Sequence, residues 1–119
     1  MTKDAAIFVR FTFPGFHRWA GAPADRAYLS DRHRHLFHVE VRMQVRHDDR
    51  EVEFHDLLDF ARDILTNDLS VDGNFGAHSC EMIGREMGDR LVKVYRRNVM
   101  VIVSEDGECG AMVEVEPEK

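Results

Sequence analysis

Histidines 33 and 35 stand two apart in the run His33-Arg34-His35-Leu36-Phe37-His38-Val39-Glu40-Val41, and residues two apart in an extended chain share a face. The odd positions continue as Phe37, Val39, Val41, Met43 and Val45, whereas the even ones are Arg34, Leu36, His38, Glu40, Arg42, Gln44 and Arg46. That alternation predicts a half-buried strand whose inward face opens with two imidazoles. Nitrogen donors at the border of an apolar face suit a divalent metal. Ile7, Val9, Phe11 and Phe13 alternate in the same way, and their inward parity leads on to His17. Three neutral histidines with a fourth position open is the donor count of a catalytic zinc, which lowers the pKa of its bound water to about 7. The plainer alternative makes His33 and His35 polar strand-end residues and His17 an exposed loop residue. His38, of opposite parity, and His47, in a polar His-Asp-Asp-Arg turn, are expected to face solvent.

A carboxylate has a similar double reading. Glu105 continues the parity of Val99, Val101 and Val103, which sets it at the end of a buried strand before a glycine turn. There it could accept paired hydrogen bonds from the guanidine-like N–H edge of an aminopyrimidinone ring. The alternative is an ordinary acid beside an Asp-Gly turn.

These residues need elements to position them. A first strand over Ala6 to Phe13, ending at Pro14-Gly15, is followed by an aperiodic loop from Ala20 to Asp31 and then by the histidine strand. From Phe54 the period changes: Phe54, Leu57, Leu58, Ala61, Ile64 and Leu65 follow the spacing of an amphipathic helix. A turn-rich stretch, Asp68 to Gly76, separates it from a second helix that starts near Ser79, whose hydroxyl can cap it, and buries Cys80, Ile83, Met87 and Leu91. Gly84 and Gly88 are unfavourable inside that helix. Two strands close the chain, Asn98 to Ser104 and Cys109 to Val115, around Glu105-Asp106-Gly107-Glu108. The order ββααββ predicts an α+β fold, a four-stranded antiparallel sheet with both helices on one face. Val99 to Val103 is apolar on both faces, so subunits are expected to pack sheets edge to edge into a closed β-barrel.

With 119 residues, 44% of them hydrophobic, the chain is expected to form one domain spanning residues 1–119. A formal charge of −6 and no basic cluster backed by aromatics argue against nucleic acid as a partner. No apolar stretch approaches the roughly 18 residues that span a bilayer. The opening Met-Thr-Lys-Asp lacks the order of a signal peptide, so the expected location is cytoplasmic. Cys80 and Cys109 lack zinc-knuckle spacing and are expected to be free thiols, neither a strong nucleophile.

Taken together, the motifs resemble the 6-pyruvoyltetrahydropterin synthase and 6-carboxytetrahydropterin synthase family of tunnelling-fold proteins. Phe13-Pro14-Gly15-Phe16-His17 resembles the Phe-x-x-x-His that ends its first strand, and His33-Arg34-His35-Leu36-Phe37 its His-Gly-His-x-Tyr/Phe motif. Val52-Glu53-Phe54 is similar to the hydrophobic-Asp-Phe start of its first helix, His78-Ser79-Cys80-Glu81 to the Pro-Thr-x-Glu that opens the second, and Ser104-Glu105 to the Glu-Thr region whose Glu anchors the pterin. The resemblance covers nearly the whole chain. It implies Zn2+ on His17, His33 and His35, substrate binding by Glu105 with Ser79 beside it, a pterin-like small-molecule substrate, and a homo-oligomer, trimer or hexamer, with sites at subunit interfaces.

Departures from the family pattern redistribute the catalytic roles. The family's proton-shuttling Cys lies four residues before the first histidine of the pair, where this chain has Leu29, which cannot carry a proton. Its Asp-His pair after the first helix is missing too; Asn67-Asp68 lies near that place. Some family members use a carboxylate in place of the Cys to act as aldolase-like lyases, which makes Asp31, with Ser30 beside it, the candidate proton carrier. His55 and His78 are the spare histidines, of which His78 is the candidate base. Arg34 and Glu53 replace the usual Gly and Asp. The expected function is a zinc-dependent synthase or lyase acting on the side chain of 7,8-dihydroneopterin triphosphate or a related dihydropterin, in biopterin, folate or queuosine-type deazaguanine metabolism. The alternative is a non-catalytic protein of the same fold that binds a pterin or purine-like ligand.

Overall fold

Alternation in the first half of the chain and apolar, β-branched runs in the second produce four strands: β1 (Ala6–His17), β2 (His33–Gln44), β3 (Val99–Glu105) and β4 (Cys109–Val115). In the computed structural model, which describes residues 5–118, they form one antiparallel sheet in the order β1-β2-β3-β4. The Met-Thr-Lys-Asp start, on which the signal-peptide expectation rests, lies outside those residues. Odd-numbered side chains face inward as the parity predicts: Val41, Met43, Val99, Val101 and Val103 are wholly buried. Each such side chain contributes about 1.5–3 kcal/mol through removal of apolar surface from water.

Two helices fill the connection between β2 and β3 and cover that inner face. The first, α1 (Phe54–Asp63), is capped by the Glu53 carboxylate, which accepts the Asp56 N–H. It runs on into a π-helical turn, Ile64–Leu69, that buries Ile64, Leu65 and Leu69. The second, α2 (Cys80–Tyr95), begins at Ser79, whose Oγ accepts the Met82 N–H at 3.1 Å, as the sequence predicts. The two glycines that disfavour this helix locally have a packing reason. A Cβ on Gly88 would lie 2.5 Å from Val115 Cγ2, and one on Gly84 3.1 Å from Val113 Cγ2, so both let α2 lie directly on β4.

Two boundaries differ from the sequence reading. β1 does not end at Pro14-Gly15 but pairs with β2 through His17. Phe16 donates its N–H outward to Gly73 O at 2.8 Å, so the even residues of this edge strand point their N–H groups away from β2, and a proline at position 14 costs no ladder bond. The stretch read as an aperiodic loop contains a short 3-10 helix, Ala24–Ser30, with no buried residue; a solvated turn of that kind leaves no hydrophobic period.

The outer sheet face is mixed. Glu40 lies between Arg10 and Arg42, while Phe8, Leu36 and Met112 are exposed. Among the described residues no helix is long and apolar enough to cross a membrane.

Candidate metal centre

The end of the β1–β2 hairpin brings the three histidines together. His17 and His33 are Cα partners across the pair, and Gly15 faces His35. Their ring centroids are 4.6 Å apart for His17 and His33, 4.9 Å for His33 and His35, and 5.3 Å for His17 and His35. The fourth member comes from β3, where Glu105 is the register partner of Phe37. One donor atom from each of His17, His33, His35 and Glu105 falls within 4.8 Å of the others.

Each ring is oriented by an oxygen on its Nδ1 side. His17 Nδ1 lies 2.9 Å from His78 O, His33 Nδ1 3.0 Å from Asp31 O, and His35 Nδ1 2.8 Å from Asp106 Oδ2. These oxygens accept only, so Nδ1 carries the hydrogen and the neutral ring offers its Nε2 lone pair. Metal-binding histidines are held by partners of this kind. The Nε2 atoms of His17 and His35 are buried and receive no hydrogen bond. Glu105 Oε2 lies 2.9 Å from the first and Oε1 3.5 Å from the second. Burial is the largest influence on His17, whose pKa is lowered, with His33 and His35 acting in the same sense against the His78 carbonyl and Glu105. The lowered value favours the neutral, ligating form. The donor set therefore fits a divalent metal ion.

A neighbouring loop makes this geometry possible. Residues 71–76 lie along the outer edge of β1, with Phe16 donating to Gly73 O and Phe75 donating to Phe16 O, each at 2.8 Å. Gly15 is the contact point: a Cβ there would lie 2.8 Å from Phe75 Cε2 and 2.9 Å from Gly73 O. Phe75 and Phe37 form the apolar floor, and His17 stacks edge-on against Phe37 at 5.2 Å.

A cavity of about 280 Å3 opens beside the histidines. His17, His33 and Glu105 form part of its wall, and His78 and Ser79 another part. Leu29, Trp19 and Cys109 also line it. The Asp31 side chain is exposed and is not part of the lining; this residue touches the centre through its carbonyl on His33. The His78 ring has Nδ1 2.9 Å from Phe75 O and Nε2 2.7 Å from Glu86 Oε2, while its backbone oxygen orients His17. The Cys80 thiol, in the same wall, is pushed up to about 12 by burial, reinforced by Glu105 and Glu81, and stays protonated. His38 and His47 are exposed, as their parity and setting predict, and so is the spare His55.

Two residues of this constellation escape the sequence reading. Asp106 is legible there only as the first residue of an Asp-Gly turn, yet it holds His35; Glu86 is an ordinary helical acid until the fold sets it against His78.

No protein-family model matches the chain, and no curated protein matches it. Solved structures do. A catalytic-residue variant of Plasmodium vivax 6-pyruvoyltetrahydropterin synthase, with alanine in place of a glutamate, superposes with a TM-score of 0.66 at 16% identity, covering 94% of this chain and 98% of that one. Plasmodium vivax 6-pyruvoyltetrahydropterin synthase itself gives 0.62 at 14% identity over 95% and 99% of the two chains. The Plasmodium falciparum 6-pyruvoyltetrahydropterin synthase gives 0.62 at 14% identity over 94% and 98%. The likeness is one of fold: the chain has the tunnelling fold of the pterin synthases, over nearly its full length.

Proposed function

We propose that the chain binds zinc through His17, His33 and His35 and acts on the side chain of a dihydropterin such as 7,8-dihydroneopterin triphosphate. The observation that carries this reading is the convergence of three oxygen-oriented imidazoles on one point at the wall of a cavity. A zinc ion held there would supply Lewis acidity toward the side-chain oxygens of the substrate, which lowers the barrier to enolisation or carbon–carbon cleavage. Likeness to 6-pyruvoyltetrahydropterin synthases supports the substrate class.

Leu29 lines the cavity and Cys80 is held protonated, so neither of those two positions supplies a thiolate for proton transfer. His78 is the candidate at the cavity wall, with its Nε2 2.7 Å from Glu86 Oε2. Asp31 is the candidate carboxylate; in the Plasmodium vivax synthase a glutamate is named as a catalytic residue. For Asp31 to serve, its side chain has to turn from solvent toward the cavity as substrate enters. Ser79, at the α2 N-terminus, lines the substrate side.

A homo-oligomer, trimer or hexamer, completes the reading. Exposed Phe8, Leu36 and Met112 on the outer sheet face and the position of β4 at the end of the strand order suit closure of sheets into a barrel. Two free cysteines suit a reducing cytoplasmic setting. The second reading, a non-catalytic pterin or purine-like binder, is favoured by Leu29 in the cavity wall, where the family's thiol is expected.

Elemental analysis and turnover separate these readings. Wild type should carry about one zinc per chain, lost in His17→Ala, His33→Ala and His35→Ala. Incubation with dihydroneopterin triphosphate, followed by fluorescence, should show substrate loss that disappears in His33→Ala. Zinc without turnover would select the binder, and a folded wild type that takes up no supplied zinc would end the metalloenzyme reading and leave a scaffold or ligand-binding protein of the same fold.

A further inference from the structure

We propose that Glu105 is the fourth protein ligand of the metal centre, so that the resting site is a three-histidine, one-carboxylate set closed by the protein itself. The proposal rests on the metal reading above and assigns Glu105 a role different from the ring anchor that the resemblance implies.

Its basis is electrostatic. The Glu105 carboxylate faces two acceptor nitrogens, 2.9 Å from His17 Nε2 and 3.5 Å from His35 Nε2, and both nitrogens are buried without a hydrogen bond. Each ring's hydrogen is committed on the other side, to His78 O and to Asp106 Oδ2. Two lone pairs converging on a carboxylate repel it. A proton shared between Glu105 and His17 relieves one contact and leaves the other; one divalent cation turns every donor in the group into an attraction. The donors of all four residues lie within 4.8 Å of one another, so Glu105 belongs to the cluster by distance as well as by charge.

The backbone holds it there. Glu105 closes β3 opposite Phe37, and its carbonyl accepts the Glu108 N–H at 3.0 Å. The next residue, Asp106, orients His35. One turn thus delivers a ligand and the partner that aims another ligand. A mixed imidazole and carboxylate set takes a first-row divalent ion, and three neutral imidazoles with one carboxylate leave such a site a net charge of +1. An incoming oxygen ligand then has to displace Glu105 or join it.

The experiment is zinc affinity by competition with a chromophoric chelator, with the visible spectrum of the Co2+-substituted protein as a second readout. It compares wild type, Glu105→Gln, His33→Ala and Glu81→Gln. Glu81 lines the same cavity outside the donor group, so it controls for loss of charge alone. The expected result is a loss of about 10-fold or more in Glu105→Gln, since even outer-shell changes cost about 10- to 100-fold, with a changed Co2+ spectrum and Glu81→Gln like wild type. Wild-type affinity and spectrum in folded Glu105→Gln, with metal lost in His33→Ala, would overturn the proposal and leave the three-histidine site standing. An equal loss in Glu81→Gln would also overturn it, by reducing the effect to general charge. A wild type without zinc affinity would overturn it together with the reading beneath it.

Discussion

Asp106 clamps His35 from behind: Oδ2 lies 2.8 Å from Nδ1, while Oδ1 accepts the Leu36 backbone N–H at 2.9 Å. The two bonds fix the carboxylate to the strand that carries the imidazole, so the ring is aimed by a group that cannot drift away from it. A backbone hydrogen bond from Leu36, then the bond to His35, holds the Asp106 carboxyl below the usual aspartate range. Asp106→Ala should therefore weaken zinc binding by about 10- to 100-fold while leaving the fold intact. Chelator competition and circular dichroism check the two halves of that expectation.

Gly15→Ala should disturb the centre without touching a ligand. The new methyl group would meet Phe75 and the Gly73 carbonyl at 2.8 and 2.9 Å, and a backbone carbonyl yields little. A cost of about 1–3 kcal/mol is expected for such overpacking, together with a loosened 71–76 loop. Denaturant midpoints and hydrogen exchange at the Phe16 and Phe75 amides read both effects.

Glu40 provides a pH prediction. Burial is the largest influence on it and acts to raise its pKa, but hydrogen bonds and charge from Arg10 and Arg42 outweigh that and leave it lowered from 4.5. A depressed carboxyl contributes stability that is fully present above its unfolded value and is lost as pH falls through the folded one. The stability difference between wild type and Glu40→Gln should hold constant above about pH 4.5 and shrink below it. Urea midpoints of both proteins across that range provide the measurement.

Ser79→Ala should cost about 1 kcal/mol by removing the helix cap, since Ser79 Oγ is the acceptor for Met82 N–H. Ser79→Asp retains an acceptor at the helix start and should restore that stability. Thermal unfolding of the three proteins tests the pair.

Parity carried most of the site. Positions 33, 35 and 17 fall on inward faces by counting in twos, and Glu105 falls there by counting from Val99. What counting cannot supply is register between strands remote in sequence. Pairing of Phe37 with Glu105 is set by how α1 and α2 pack in the intervening chain, so the approach of Glu105 to His17 has no local signature. The loop that runs along β1 is equally silent, because its bonds are made by backbone groups of Gly73, Phe75 and Gly76 and not by recognisable side chains. Leu57, Ala61, Ile83, Met87 and Leu91 are all fully or nearly fully buried, as helical spacing predicts. The 3-10 turn before β2 buries nothing and so left no pattern to read.

The pairing of His17 with His33 also bears on the order in which the molecule is made. All three imidazoles belong to the first hairpin, whereas Glu105 and Asp106 emerge roughly seventy residues later. An ion caught by the hairpin would close the 18–32 loop early and remove part of the chain's freedom before the sheet is complete. Metal supply would then set the pace of folding as well as the chemistry of the finished protein. Refolding that is no faster with zinc added at the start than with zinc added at the end would separate the two.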